Sequence, residues 1–300
     1  MLISAFTIVR NGVRFDYPFL ESIRSVLPIC EELIINVGDS DDSTEQALHQ
    51  MIAGLSEIDQ KKIQIFNTHW PLNDPEKRKG GQILAEQTNY ALSKCSGQWC
   101  LYLQADEVLQ EDDLSIISQA AEAHLNDDRV DAFVFEYVHF YADYTTIQTS
   151  RSSYRREIRM VRRSSGAVSV GDAQSFRLPD GTKPRAVLLK AKIYHYGWVK
   201  NQDVMRLKTG FMDTLYHQNA DAALPATGPN YLFKSFVGLK KFTGRHPGVM
   251  KTRVEAAGNF DFSRAPRVFQ IKDVWKIVSG WIERATGWRP FEYKSYRLIR

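Results

Sequence analysis

The segment Gly97-Gln98-Trp99-Cys100-Leu101-Tyr102-Leu103-Gln104-Ala105-Asp106-Glu107 is an apolar run that ends in two adjacent carboxylates. Charges placed where a chain leaves a buried strand are costly unless partnered. A hard cation is one suitable partner, since Mg²⁺ or Mn²⁺ is commonly held by one or two carboxylates together with substrate phosphates. The positive end of a following helix is another, and Asp106, Glu107 and Glu111 would suit its dipole equally. Other residues are placed for similar chemistry. Arg10 and Asn11 follow the first apolar run, and Lys77, Arg78 and Lys79 precede Gly80-Gly81. Basic side chains beside flexible backbone suit a diphosphate, although an exposed basic loop has the same composition. His195 closes an apolar run just before Gly197. It is either a Mn²⁺ ligand or a core histidine bonded to a carbonyl. His139, His217 and His246 have no comparable position.

The elements that must hold these residues alternate. Residues 2–9, 32–37, 62–66 and 99–103 are apolar runs of strand length, and residues 17–27, 44–55 and 83–94 between them are helical in pattern. Ser43, with Gln46 three residues on, reads as a capping box. Such alternation predicts right-handed crossovers and a mostly parallel, Rossmann-like central sheet flanked by helices. Ligands of such sheets bind beyond the carboxyl ends of the strands, where Arg10-Asn11, residues 38–42, 67–70 and 104–107 all fall. A helix near 112–124 is followed by strand-like runs at 132–140, 158–162 and 187–196. The chain turns helical again from residue 201, and residues 267–288 repeat apolar side chains on one helix face.

At 300 residues the chain can bury a real core without disulfides. Cys30, Cys95 and Cys100 show no ligand or redox spacing, which predicts small core residues in a reducing compartment. The apolar start lacks a basic leader and reads as a strand, and no apolar run is long enough to span a bilayer. The expected location is cytoplasmic, with peripheral contact on the inner face of the membrane as an option. Residues 231–300 hold 15 Lys+Arg against 5 Asp+Glu, so the remainder, with 24 against 30, is acidic. A basic tail is expected to meet something anionic. Its aromatic residues are interleaved with an amphipathic helix and form no recognised nucleic-acid motif, so no nucleic acid is expected.

The segment 97–107 resembles the Gly-Asp-Trp, strand, Asp-x-Asp-Glu region of bacterial family-2 glycosyltransferases with the GT-A fold, Gln-Ala-Asp-Glu being a variant of it. Residues 4–11 resemble that family's first strand and nucleotide-binding turn, 38–44 its second-strand acidic turn, and 80–89 the helix before the motif. The likeness covers about the first 110 residues well and continues more weakly to about 200. It implies a catalytic domain over 1–218, with a nucleotide-sugar half at 1–110 and an acceptor half at 111–218. A basic, mainly helical extension over 219–300 would follow, with 219–230 as the boundary. It implies donor contacts from Val9, Arg10, Asn11, Asp39, Arg78, Asn89, Gln104 and Ala105. Asp41 is the rival of Asp39. It also implies a divalent metal, Mn²⁺ or Mg²⁺, on Asp106 and His195. The general base would be Asp172, with Asp143 and Glu136 as rivals, and the anomeric centre would invert. Donor and acceptor would be a nucleotide sugar and a glycan or lipid-linked sugar. The sequence departs from the pattern at Gln104, which supplies no charge where the family has an Asp.

Two other readings stand beside this one. A sugar-nucleotide pyrophosphorylase would need a Gly-rich loop after the first strand, where only Gly12 occurs. A catalytically degenerate protein that binds a sugar nucleotide or glycan is compatible with Gln104. A dehydrogenase is disfavoured, because no Gly-x-Gly-x-x-Gly follows a strand.

The residues 267–288 combine their apolar stripe with Trp275, Trp281 and basic side chains, a composition suited to a membrane interface. Packing of that stripe on the catalytic domain is the alternative expectation.

Overall fold

The computed structural model describes residues 1–216, 233, 236–263 and 271–299. The strands are β1 (Ile3–Val9), β2 (Glu32–Gly38), β3 (Ile63–Thr68), β4 (Trp99–Tyr102), β5 (Glu107–Leu109), β6 (Ala132–Tyr141) and β7 (Asp143–Gln148). They continue with β8 (Arg156–Arg162), β9 (Val168–Val170), β10 (Ser175–Arg177), β11 (Arg185–Trp198), β12 (Leu239–Lys241) and β13 (Arg297–Leu298). The helices are α1 (Phe19–Val26), α2 (Thr44–Ala53), α3 (Glu57–Lys62), α4 (Pro75–Arg78), α5 (Gln82–Lys94), α6 (Leu114–Ala123), α7 (Gln202–Tyr216), α8 (Lys251–Ala256) and α9 (Ile271–Thr286).

One central sheet runs β12-β7-β6-β8-β4-β1-β2-β3, and β11 joins it through β6 while also pairing β5 and β13. The first four strands are mutually parallel in the order β4-β1-β2-β3, which is the α/β arrangement the alternating pattern predicts. The second half attaches through β8, antiparallel to both β4 and β6. Strand β1 is buried along its whole length, Ser4 and Thr7 included. Ile3, Ala5 and Val9 join a core with α1, α2 and α6, whereas Phe6 and Ile8 join a second core with α5 and α7. A strand covered on both faces has no polar side to alternate.

Local details differ from the sequence reading. Ser43 stands at the start of α2 but makes no capping bond. Asp42 does that work, accepting from the Thr44 N–H at 2.9 Å while its second oxygen takes the Arg14 N–H at 2.7 Å. A short helix, α3, precedes β3, capped by Ser56 accepting from the Asp59 N–H. Among the described residues of 219–300, β12 extends the sheet at β7 and β13 pairs with β11. The proposed boundary at 219–230 lies outside the described residues. The three cysteines are buried free thiols.

Candidate active site

A cavity of about 510 Å³ opens where β1 and β4 end, the position at which ligands of parallel sheets bind. Val9 and Arg10 reach it from β1, Gln104, Ala105 and Asp106 from the turn after β4, and His195 from β11. The pairing of β11 with β5 sets His195 opposite Glu107, and Tyr196 N–H donates to the Asp106 carbonyl at 2.8 Å. That register brings His195 Nε2 to 3.7 Å from Asp106 Oδ2. The adjacent carboxylates therefore part. Asp106 faces the cavity, whereas Glu107 is fully buried and gripped by Arg159 at 2.7 and 2.8 Å and by the Tyr137 hydroxyl at 2.8 Å. Glu107 is spoken for by the core and leaves Asp106 as the acid of the pair that faces the cavity.

His139, given no role in the sequence reading, sits beside His195 as its register partner on β6. Its Nε2 lies 2.6 Å from the Tyr154 carbonyl and its Nδ1 lies 3.2 Å from His195 Nδ1. A carbonyl can only accept, so His139 donates from Nε2 and accepts at Nδ1, and His195 must carry its proton on Nδ1. Burial lowers both rings, reinforced at His139 by its neighbour His195 and opposed at His195 by the Asp106 carboxylate, leaving His139 at about 3 and His195 at about 4. Both are neutral near pH 7, and His195 presents an Nε2 lone pair towards Asp106.

The sequence reading passed over two lysines here, Lys208, which lines the cavity, and Lys200, which is buried outside its lining. Lys208 Nζ lies 3.1 Å from Asp106 Oδ2 and donates to the Gly197 carbonyl at 2.9 Å. Lys200 donates to the Asp16 carbonyl at 2.8 Å, and both ammonium groups lie over the Tyr17 ring, at 4.8 and 4.9 Å. Burial would raise the Asp106 carboxyl, but Lys208, His195 and Lys200 outweigh it and hold the group well below the usual carboxylate range. Lys200 is itself pushed down to about 7, by burial and then by its like-charged neighbour Lys208.

No family model matches this chain, and no curated protein does. Solved structures of S. aureus TarS are similar to it. The TarS structure aligns at 15% identity and TM-score 0.42, covering 71% of this chain and 39% of that one. TarS 1–349 in complex with UDP-GlcNAc aligns at 15% identity and TM-score 0.37, covering 71% and 66%. The same fragment with UDP aligns at 14% and 0.36, covering 72% and 65%. The chain thus spans less than two thirds of each TarS chain.

The other candidates divide. Asp172 lines the cavity, with Tyr216 O–H donating to its Oδ2 at 2.8 Å. Asn11, Asp39, Arg78 and Asn89 do not line it. The Asn11 amide is used within the loops, accepting from the Asp41 N–H at 2.9 Å. Asn89 is spent on the Ser169 backbone, at 2.9 and 2.7 Å, and so holds β9 just before Asp172. Asp39 is exposed beside the cavity, bound by Arg10 at 3.2 Å, His69 at 2.6 Å and the Trp70 N–H at 3.2 Å. Arg78 is buried at the end of α4. Neither rival base faces the cavity. Asp143 is buried and bonds the Thr145 and Phe260 N–H groups, and Glu136 pairs with Arg156. His246 bonds Tyr196 and the Tyr144 carbonyl in a separate aromatic cluster, and His217 lies outside the described residues.

A divalent cation suits this wall by the chemistry of its donors, a carboxylate oxygen and an imidazole lone pair. Gly197 leaves room between them, because a Cβ there would stand 2.5 Å from Asp106 Oδ2 and 2.8 Å from His195 Nε2. Among the described residues no group of three or more His, Cys, Asp or Glu side chains could hold a metal. Further ligands would come from substrate oxygens or water.

Keeping Lys200 buried carries a cost that pH reveals. Its folded value near 7 lies below the ordinary lysine value of 10.5. The penalty is full below about pH 7 and fades as pH rises towards 10.5, where the unfolded chain also loses the proton. Lys200→Met should therefore stabilise the protein most at pH 6 and below, by up to about 5 kcal/mol less the lost bond to Asp16. The gain should shrink steadily between pH 7 and 10. Urea melts across that range test this, and a gain independent of pH would contradict the assignment.

Proposed function

We propose that this protein is a glycosyltransferase that moves a sugar from a nucleotide-sugar donor to an acceptor hydroxyl, with inversion and with Mn²⁺ or Mg²⁺. The observation that carries the reading is one cavity holding Asp106, His195 and Lys208 on one wall together with Asp172. A diphosphate bound at the first group departs more easily as its developing charge is met by Lys208. A bound Mn²⁺ or Mg²⁺ would supply further neutralisation of the leaving diphosphate as a Lewis acid. His195, its tautomer set by His139, would hold it with Asp106. Asp172 accepts the acceptor hydroxyl's proton as the oxygen forms its bond to the anomeric carbon and the bond to the diphosphate breaks. Tyr102, Trp198 and Phe211 add aromatic faces to the cavity on which a sugar or base can stack.

Glu107 supports the same reading from the other side, because its pairing with Arg159 fixes the turn that carries Asp106. A pyrophosphorylase needs a phosphate-cradling Gly-rich loop after β1, and that turn is instead built on Asn11, at φ 52°. A binder without turnover is favoured by one observation, the direct contact of Lys208 with Asp106, which neutralises the carboxylate without metal. One experiment separates these readings. Nucleoside diphosphates should raise the melting temperature, more so with Mn²⁺, since a ligand at a hundredfold excess over Kd adds about 2.7 kcal/mol. Release of nucleoside diphosphate from sugar-nucleotide donors should accompany binding. Binding without release would support the binder, and no shift with any diphosphate would remove both readings.

A further inference from the structure

Helix α9 is amphipathic but packed inside out. Its inward side presents buried Asp273 and Ser279 with the half-buried Lys276 and Glu283. Ion pairs hold it there. Glu283 takes Arg155 at 3.0 Å and Arg289 at 2.7 Å, and Arg155 also takes Glu292 at 2.6 Å, while within the helix Lys276 pairs with Asp273 at 2.9 Å. Arg289 further donates to the Ser153 and Thr149 carbonyls at 2.8 and 3.1 Å. The outward side carries Ile271 at 90% exposure, Trp275 at 61% and Trp281 at 68%, and Phe291 beyond the helix is 81% exposed. An amphipathic helix ordinarily turns its apolar stripe to the core. Here polar contacts fix it by the opposite side, so the stripe faces away from the described core.

Charge and composition identify its partner. The acids of residues 271–300 are Asp273, Glu283 and Glu292, and all are paired inward at 9, 22 and 13% side-chain exposure. Arg284 on the helix is exposed, and the exposed Arg151 shares a hollow with Trp275 and Phe291. The outward face is therefore apolar and cationic, with no exposed carboxylate from this segment. Tryptophans on an apolar face, flanked by basic side chains, match a bilayer interface with anionic headgroups. No helix among the described residues is long and apolar enough to cross a membrane. The face also adjoins the cavity, because Ser152 lines both the cavity and a hollow shared with Trp275 and Phe291.

We propose that the outward face of α9, with Trp288 and Phe291, docks in the interface of an anionic lipid bilayer. The cavity then opens beside that surface and takes its acceptor from an amphiphile carried in the bilayer. Only this second statement rests on the glycosyl-transfer reading.

The test is co-sedimentation of the full chain with phosphatidylcholine vesicles, with and without phosphatidylglycerol. The protein should pellet with the anionic vesicles at low salt and be released at high salt. Trp275→Ala, Trp281→Ala and Phe291→Ala should each lower partitioning by about tenfold, with no loss of melting temperature. Failure to bind at low salt overturns the docking, as does undiminished binding in the triple variant. A stable dimer that Trp281→Glu converts to monomer, with no vesicle binding, would give the face to a second copy and overturn it too. No donor is present in the assay, so its failure leaves nucleoside-diphosphate binding, measured separately, to decide the catalytic reading.

Discussion

Replacing Asp106 with Asn should reduce turnover by about 10³-fold and remove the Mn²⁺ dependence of donor binding, because charge stabilisation at a departing diphosphate is worth several kcal/mol. The substitution has a structural side as well. It leaves Lys208 and Lys200 beside one another without their shared counter-charge, and breaking a buried pair costs about 3–5 kcal/mol. Melting curves of Asp106→Asn alone and with Lys208→Met distinguish a folding defect from a catalytic one, since the second change removes the stranded ammonium. Gly197→Ala reaches the same point without altering a charge. Its Cβ would fall 2.5 Å from Asp106 Oδ2, closer than any real contact, and fill the space between that oxygen and His195 Nε2. Donor binding that keeps its full Mn²⁺ dependence in folded Asp106→Asn protein would move the metal elsewhere. The same result in Gly197→Ala would show that the space is not used.

The sequence reading reached Asp106 and His195 because each ends an apolar strand, and strand ends are where parallel sheets expose chemistry. What it could not supply was the pairing between distant strands. Glu107 stood in the sequence as a second carboxylate beside Asp106, because adjacency in sequence is visible and the fully buried Arg159 opposite it is not. His139 lies inside an apolar strand, and only the β6–β11 register shows that it orients His195. Lys208 did leave a signal. It stands three residues after the fully buried Met205 and four before Met212, which packs against the core, so the period of α7 points it inward. A lysine on such a face needs an acid to meet it. Asn89 shows the opposite failure. Its position on α5 suited the donor, yet a side-chain amide is also a good partner for an unpaired strand edge, and β9 takes it. The apolar stripe of α9 was legible as a stripe, but its direction was not, because Arg155 and Arg289, which hold its polar side, lie on either side of it in sequence.

Asp172→Asn should keep donor affinity and lose about 10²-fold or more in kcat, the low end of what positioned proton transfer contributes. The loop that carries Asp172 is held in an uncommon conformation, with Gly171 at φ 62° and the buried Ala173 at φ 60°. A non-glycine residue there is strained, and such strain persists only where the surroundings hold it. Gln104 supplies part of that hold by donating to the Ala173 carbonyl at 3.3 Å, which ties the base loop to the turn bearing Asp106. Tyr216 then points the carboxylate, donating to one oxygen, while the Gln174 N–H at 3.3 Å meets the other. Tyr216→Phe should consequently lower kcat less than Asp172→Asn does, since it loosens the base without removing it. The former rivals do not line the cavity, but Asp213 on α7 does and is the remaining carboxylate to test. Turnover and donor affinity measured together in Asp172→Asn and Asp213→Asn decide between them. If Asp172→Asn turns over normally and Asp213→Asn does not, the base sits on α7, and the strain at Ala173 serves to shape the cavity wall.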